Sequence, residues 1–286
     1  MSSELTPAAP PSRGILNALW TLAQPPGFAP RAPHAAGERF RTTAARGIAP
    51  LVDVYLPDTP GPHASVVIVH GGGFVVGSRR MKPVRYLATR LCEAGIAAAA
   101  IDYRMIFRGG RLAESLADLD AASEWWFGQS ARFGLDPGRV AMAGFSAGAT
   151  LTLLHASAAQ PERYHRLISF FGVYDFGYLN GRLAQLMRQL LLRTGDPAAW
   201  TAHSPLECCR TDAPLLLVHG AADTLVPIEH ARRLRARREA LGLPVRLLEY
   251  ADTPHGFLND ARLQATRDAA DQVIAFLRST DTVPAP

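Results

Sequence analysis

Cysteine is scarce in this chain of 286 residues: Cys92, Cys208 and Cys209 are too few for a disulfide framework, and their spacing matches no zinc pattern. A reducing cytoplasm is therefore the expected compartment, with the adjacent Cys208 and Cys209 as structural residues. Lysine is scarcer still. Lys82 is the only one, so the net charge of +5 rests on arginine. The densest basic run, Arg232, Arg233, Arg235, Arg237 and Arg238, is interleaved with Ile228, Ala231, Leu234 and Leu241 at helical spacing, which reads as the solvated face of a helix. Stacking aromatics are not interleaved with the basic residues, so nucleic acid is not an expected partner. Apolar runs of the roughly 18 residues needed to cross a bilayer are missing, and no membrane span is expected. Met1 to Pro11 lacks a basic segment followed by an apolar one, so no signal peptide is expected either. His155, His165 and His230 have no partners at ligand spacing; they are read as surface residues, and neither a metal nor another cofactor is implied.

What is present is apolar substance, 48% of the chain, enough for one large core. Continuous β-branched and aliphatic runs alternate with segments of helical periodicity. Strands are expected at Ser65 to Val69, Ile96 to Ile101, Val140 to Ala143, Leu167 to Phe171, Leu215 to Val218 and Val245 to Tyr250, with a weaker outer strand at Leu51 to Leu56. Helices are expected at Met81 to Ala94, Leu112 to Phe127, Ala149 to Ala159 and Ala261 to Leu277, with a short amphipathic one at Ile15 to Leu22 that Pro25 and Pro26 end. A helical insertion, Leu183 to Leu192, falls between two strands. The alternation predicts an α/β fold, a mostly parallel sheet covered by helices on both faces. Residues 1–47 form an N-terminal segment, and 48–286 the domain proper, with a lid insertion at about 175–211.

In such sheets the chemistry gathers past the carboxyl ends of the strands. There stand His70-Gly71-Gly72-Gly73-Phe74, Asp102-Tyr103-Arg104, Gly144-Phe145-Ser146-Ala147-Gly148, His219-Gly220-Ala221-Ala222-Asp223 and Asp252-Thr253-Pro254-His255-Gly256-Phe257. Strand, tight turn and helix around Ser146 would leave its hydroxyl exposed above the sheet, although a capping serine in an ordinary turn has the same local sequence. A serine hydroxyl is a poor nucleophile near neutral pH and needs a base within reach, for which His255 on a glycine-flanked loop is the candidate. Asp223 and Asp252 both lie where they could orient that imidazole. Asp252 is closer in sequence but stiffened by Pro254, so Asp223 is the expected acid. Gly72 and Gly73 would let backbone amides approach a substrate, and the amide of Ala147 would add another donor. His70, Asp102 and His219 are read as anchors of their loops. The insertion offers Tyr174, Phe176, Tyr178, Leu186, Met187 and Leu190 either as a pocket wall or as a surface that simply packs on the core.

Five motifs in this order, His70-Gly71-Gly72-Gly73-Phe74, Asp102-Tyr103-Arg104, Gly144-Phe145-Ser146-Ala147-Gly148, Asp223-Thr224-Leu225-Val226-Pro227 and His255-Gly256-Phe257, resemble those of α/β-hydrolases of the carboxylesterase type, close to the hormone-sensitive-lipase-like and feruloyl-esterase-like bacterial enzymes, over about residues 48 to 279. The resemblance implies an α/β-hydrolase fold, a Ser146, Asp223 and His255 triad and an oxyanion hole at Gly72, Gly73 and Ala147; Phe74, Phe145 and Tyr174 are the residues expected against the substrate. It implies cleavage of small-molecule esters with short or medium apolar acyl groups through an acyl-enzyme, without a cofactor. An arylformamidase or amidase on the same scaffold and a catalytically silent binding protein are the alternatives, and a homodimer is left open. The serine motif ends Gly148-Ala149 where many hormone-sensitive-lipase-like members have a second glycine, and the long N-terminal cap of that group would be reduced to about Ile15 to Leu22.

Overall fold

The computed structural model describes residues 25, 27–41, 50–158, 163–179 and 182–279. The helix expected at Ile15 to Leu22 lies outside the described residues. The chain runs β1 (Ala35–Arg39), β2 (Leu51–Tyr55), β3 (His63–Val69), α1 (Lys82–Glu93), β4 (Ala97–Ile101), α2 (Leu112–Gly128), α3 (Ser130–Phe133), β5 (Leu135–Phe145), α4 (Ala147–Ala158) and β6 (Arg166–Phe170). It continues with α5 (Arg182–Leu192), α6 (Pro197–Ala202), α7 (Pro205–Cys208), β7 (Leu215–Gly220), α8 (Glu229–Ala240), β8 (Val245–Tyr250) and α9 (Gln264–Arg278).

The eight strands form one sheet in the order β1-β2-β4-β3-β5-β6-β7-β8. Pairing is parallel from β4 through β8, while β1 on β2 and β2 on β4 are antiparallel. Alternate residues of each strand enter opposite cores, as the two-residue period of a strand requires. Val67, Val69, Val140, Met142, Leu167, Leu215 and Leu217 face α2, α4 and α8. Val66, Ile68, Ala141, Ala143, Ile168, Leu216 and Val218 face α1 and α9. Burial on both faces is why these strands read as unbroken apolar runs.

Two readings of the sequence are corrected here. Residues 35–39 belong to the sheet, so it begins inside the segment set apart as 1–47, and Leu51–Tyr55 is not the outer strand. Ala35–Arg39 has no apolar alternation because it is an edge strand, half-buried, with a register shift between Ala35 and Glu38. The second concerns the arginine run. Arg238 is fully buried and donates to the carbonyls of Thr211, Ala213 and Pro244 at 3.0–3.1 Å, tying α8 to both ends of the β7 and β8 entry loops. Helical periodicity places Arg238 on a face with Leu234 and Ala231, and only the partner carbonyls make that position polar.

The insertion between β6 and β7 is helical, as expected. Its Met187, Leu190 and Leu191 pack on the core, so that part of its apolar face buries the insertion itself, whereas Leu186 and Tyr178 are exposed. Arg188 holds it together, donating to the carbonyls of Phe176 and Leu179 and lying over the Trp200 ring at 4.1 Å.

Candidate active site

Ser146 sits between the last residue of β5 and the first of α4, in a left-handed conformation with φ 50°, which strains a residue carrying a Cβ. Glycine makes the turn geometrically possible. A Cβ on Gly144 would come within 2.3 Å of the Gly148 carbonyl oxygen, and one on Gly148 within 2.3 Å of the His70 carbonyl oxygen. The strand, the helix and the end of β3 therefore touch backbone to backbone, and Ser146 N–H donates to the Phe170 carbonyl at 2.9 Å.

His255 lies on the loop after β8, Asp223 on the loop after β7. The His255 Nε2 atom is 3.1 Å from Ser146 Oγ, and Nδ1 is 2.6 Å from Asp223 Oδ2. The two loops are held together by close backbone approach. A Cβ on Gly220 would stand 2.1 Å from the Thr253 carbonyl oxygen, and that same oxygen accepts from Ala222 N–H at 3.1 Å. Asp223 is buried, and its Oδ1 accepts from the amides of Leu225 at 2.9 Å and Val226 at 2.8 Å. Burial pushes this carboxyl up, but the charge of His255, the nearby N–H of His219 and the hydrogen bond of His255 outweigh it, leaving Asp223 well below the usual carboxylate range. Asp252, the other candidate acid, is exposed at a left-handed turn residue with φ 51°.

The glycine loop after β3 stands beside this group. A Cβ on Gly71 would lie 3.3 Å from Ser146 Cβ, so loop and turn are in direct register. Gly72 has φ 117° and accepts from the amides of Val75 and Val76 at 3.1 and 3.0 Å; any side chain there would strike the Val76 carbonyl. Gly73, at φ 61°, has no atom of the described residues within 4 Å of where a Cβ would be. Ala147 opens α4, where an amide has no acceptor within the helix. The arrangement offers a hydroxyl, an imidazole that can take its proton, a carboxylate that fixes the imidazole, and amides on two neighbouring segments.

The three residues expected against a substrate separate. Phe74, at the end of the glycine loop, is 8% exposed, and its ring lies 6.4 Å from that of Phe176 in the insertion. Phe145 is 1% exposed and stacks on Phe170 at 4.6 Å, because the strand period turns it toward α1 and α9. Tyr174 is fully buried; its hydroxyl is 2.7 Å from Ser169 Oγ and accepts from Gly172 N–H at 3.2 Å. Both belong to the core, and their adjacency to the motifs in sequence misdirects the expectation.

Sequence reasoning also missed several supports. His155 and His230, read as surface residues, are buried. The first is 2.6 Å from the Tyr164 hydroxyl, and the second accepts from the amides of Tyr174 and Asp175 at 3.3 Å. Desolvation pulls both imidazoles down to about 4. His70 does anchor the glycine loop: Nδ1 is 2.7 Å from the Gly71 carbonyl oxygen, the ring stacks on Tyr103 at 4.3 Å, and burial lowers its pKa to about 4. Arg79 carries the loop's far end, with its amide donating to Asp102 at 2.8 Å and its guanidinium paired with Asp102 and Asp53. Gly77-Ser78-Arg79-Arg80 reads as an ordinary polar loop, so no local signal marks Arg79. Phe171, at φ 39°, sets its ring edge-on to His255 at 4.8 Å. Among the described residues, no group of three His, Cys, Asp or Glu is arranged to hold a metal ion.

A parallel sheet of this strand order, with a strained serine after β5 and an aspartate and histidine after β7 and β8, is the α/β-hydrolase fold. The chain belongs to the BD-FAE family within the α/β-hydrolase superfamily, whose model matches residues 52–237. It is 29% identical over 245 residues to the probable carboxylic ester hydrolase LipM of Mycobacterium tuberculosis, covering 78% of this chain and 56% of that one. The esterase LipC of the same organism is also 29% identical, over 248 residues, covering 77% and 60%. The chain thus spans somewhat over half the length of these curated relatives. Among solved structures, the acetyl ester-xyloside bifunctional hydrolase of Caldicellulosiruptor lactoaceticus superposes with a TM-score of 0.75 at 19% identity, covering 86% of this chain and 96% of that one. At that identity the likeness is one of fold.

Proposed function

We propose that this protein is a serine hydrolase of carboxylic esters, in which Ser146 is the nucleophile, His255 the general base and acid, and Asp223 the residue that orients His255. The observation that carries this reading is the unbroken chain of contacts from Ser146 Oγ through both nitrogens of His255 to a buried Asp223, built on a strained turn. Nε2 of His255 takes the hydroxyl proton as Oγ attacks the ester carbonyl carbon. The oxyanion of the tetrahedral intermediate is received by amides of Gly72, Gly73 and Ala147, each typically worth about 3 kcal/mol of transition-state stabilisation. His255 then gives its proton to the departing alkoxide, leaving an acyl-enzyme. Water attacks that acyl group with His255 again as base, releasing the carboxylic acid and restoring Ser146. No cofactor takes part in these steps.

The substrates are esters with short or medium apolar acyl groups. Phe74, at the end of the glycine loop and backed by the buried ring of Phe176, and the exposed Val76 beyond it make that end of the loop apolar rather than charged, which supports an apolar acyl or alcohol chain there. The names of LipM and LipC agree with ester hydrolysis. Cys92, Cys208 and Cys209 are free thiols, which supports the reducing cytoplasm as compartment, and among the described residues no helix is long and apolar enough to cross a membrane.

The test is a panel of p-nitrophenyl esters of graded acyl length, run beside an aryl formamide and a peptide anilide. Hydrolysis of the C2 to C8 esters with kcat/KM well above that of the formamide and the anilide is the expected result. A formamide turned over faster than any ester would replace the ester reading with an amidase one.

A further inference from the structure

We propose that His219 is a positioning residue for the acid of the triad, holding Asp223 and the turn behind it so that His255 is presented to Ser146; the proposal rests on the triad assigned above. His219 lies on β7 after Leu215, Leu216, Leu217 and Val218, at a position that is fully buried. By the alternation of the strand it shares a face with Leu215 and Leu217, so an apolar side chain would continue the core there.

Hydrogen bonding fixes its tautomer. The Nε2 atom is 2.8 Å from the Val226 carbonyl oxygen, which can only accept, so Nε2 carries the proton. Nδ1 is then a buried acceptor, and among the described residues it has no hydrogen-bond partner. A buried imidazole with one nitrogen unsatisfied carries a desolvation penalty that leucine would not. What the histidine supplies in return is the Nε2–H group, and its two neighbours are both parts of the acid's seat.

The first neighbour is Val226, whose own amide donates to Asp223 Oδ1 at 2.8 Å. His219 therefore closes a ring: it grips the carbonyl of the residue whose N–H grips the acid. The second is Asp223 itself, with Oδ2 3.3 Å from Nε2. The N–H points chiefly at the carbonyl, so its effect on the carboxylate is that of a nearby dipole rather than of a full hydrogen bond. Oδ2 is the oxygen that meets His255 Nδ1 at 2.6 Å. With Leu225 and Val226 on Oδ1, and His255 and the His219 dipole at Oδ2, the carboxylate has no freedom to rotate away. Misplacing a reacting group by about 1 Å can cost on the order of 100-fold in rate.

The experiment is a double-mutant cycle on the full chain, with kcat per active site counted by fluorophosphonate titration so that only folded, reactive enzyme is scored. His219→Leu is expected to lower kcat by about 10- to 100-fold with KM within about twofold, and His219→Gln, whose amide can place an N–H near the Val226 carbonyl, to stay within about threefold of wild type. In an Asp223→Ala background, His219→Leu should change kcat by less than about twofold, since nothing remains to be positioned. A full 10-fold or greater loss in that background, or equal losses for Leu and Gln, would overturn the proposal, because a merely structural role predicts both. Should His219→Leu not fold, His219→Asn, too short to reach the same carbonyl, carries the same comparison. An Asp223→Ala variant with wild-type kcat would instead refute the triad on which the proposal stands.

Discussion

At the scale of single residues, the proposed mechanism requires three side chains to meet within hydrogen-bonding distance, and each can be removed separately. Ser146→Ala is expected to fold normally and to lose on the order of 10⁶-fold in kcat, as the proposed nucleophile should. A fluorophosphonate probe should label wild type only, and a purified variant retaining a tenth of the wild-type rate would dismiss the serine mechanism. Asp223→Asn keeps the shape of the acid but exchanges a carboxylate oxygen for a group that cannot accept from Nδ1. It is expected to lower kcat by about 10⁴ with little change in KM. Asp252→Asn, at an exposed turn, should cost less than about tenfold. Steady-state kinetics with both variants folded by circular dichroism checks the ranking, and the reverse order would reassign the acid.

At the scale of elements, the site depends on loops that touch through their backbones. The β7 and β8 loops meet at Gly220, where a methyl group would stand 2.1 Å from the Thr253 carbonyl oxygen. Gly220→Ala must therefore push the His255 loop away from the Asp223 loop while leaving all three side chains of the triad in the sequence. The expected outcome is a drop in kcat on the order of 100-fold, through misplacement alone. A kcat within about threefold of wild type would show that the loops can slide without cost. The glycine loop after β3 follows the same logic, since Gly72 is closed against Val76, whereas no atom of the described residues lies within 4 Å of a Cβ on Gly73.

At the scale of the whole molecule, three buried histidines tie stability to pH. His70, His155 and His230 are each pulled from an ordinary value of 6.5 to about 4, chiefly by desolvation. In the unfolded chain they protonate near pH 6.5, while in the native protein they stay neutral until about pH 4. The unfolded state thus binds more protons across that window, and stability is complete above about pH 6.5 and falls as the pH drops toward 4. A shift of this size corresponds to about 3 kcal/mol for the fully buried His70, a sizeable share of the stability of a domain. The lowered carboxyl of Asp223 acts in the same direction at still lower pH. The expected observation is a Tm that is level between about pH 7 and 8 and falls steeply from pH 6.5 to 4.5. A level Tm through the acid range would mean that these imidazoles are solvated when the protein is folded.

Local pattern alone specifies the alternation of strands and helices and the segments that carry the chemistry. Both are local properties: a strand buried on two faces must be apolar along its length, and the polar or glycine residues just past it mark its carboxyl end. The order of Ser146, Asp223 and His255 and the glycines around them were legible for that reason. Which side chains meet is set by long-range packing. Asp223, and not the nearer Asp252, reaches His255 because two loops distant in sequence pack carbonyl to amide. Phe145 and Tyr174 turn into the core, Arg238 finds three carbonyls, and His155 and His230 are buried, all through partners that no local pattern encodes. Even the edge strand Ala35–Arg39 has no apolar signature of its own, since its pairing comes from the exposed ladder of β2. Periodicity reports which face of an element is apolar; whether a polar group on it is satisfied depends on the carbonyls and amides that the fold brings to it from elsewhere.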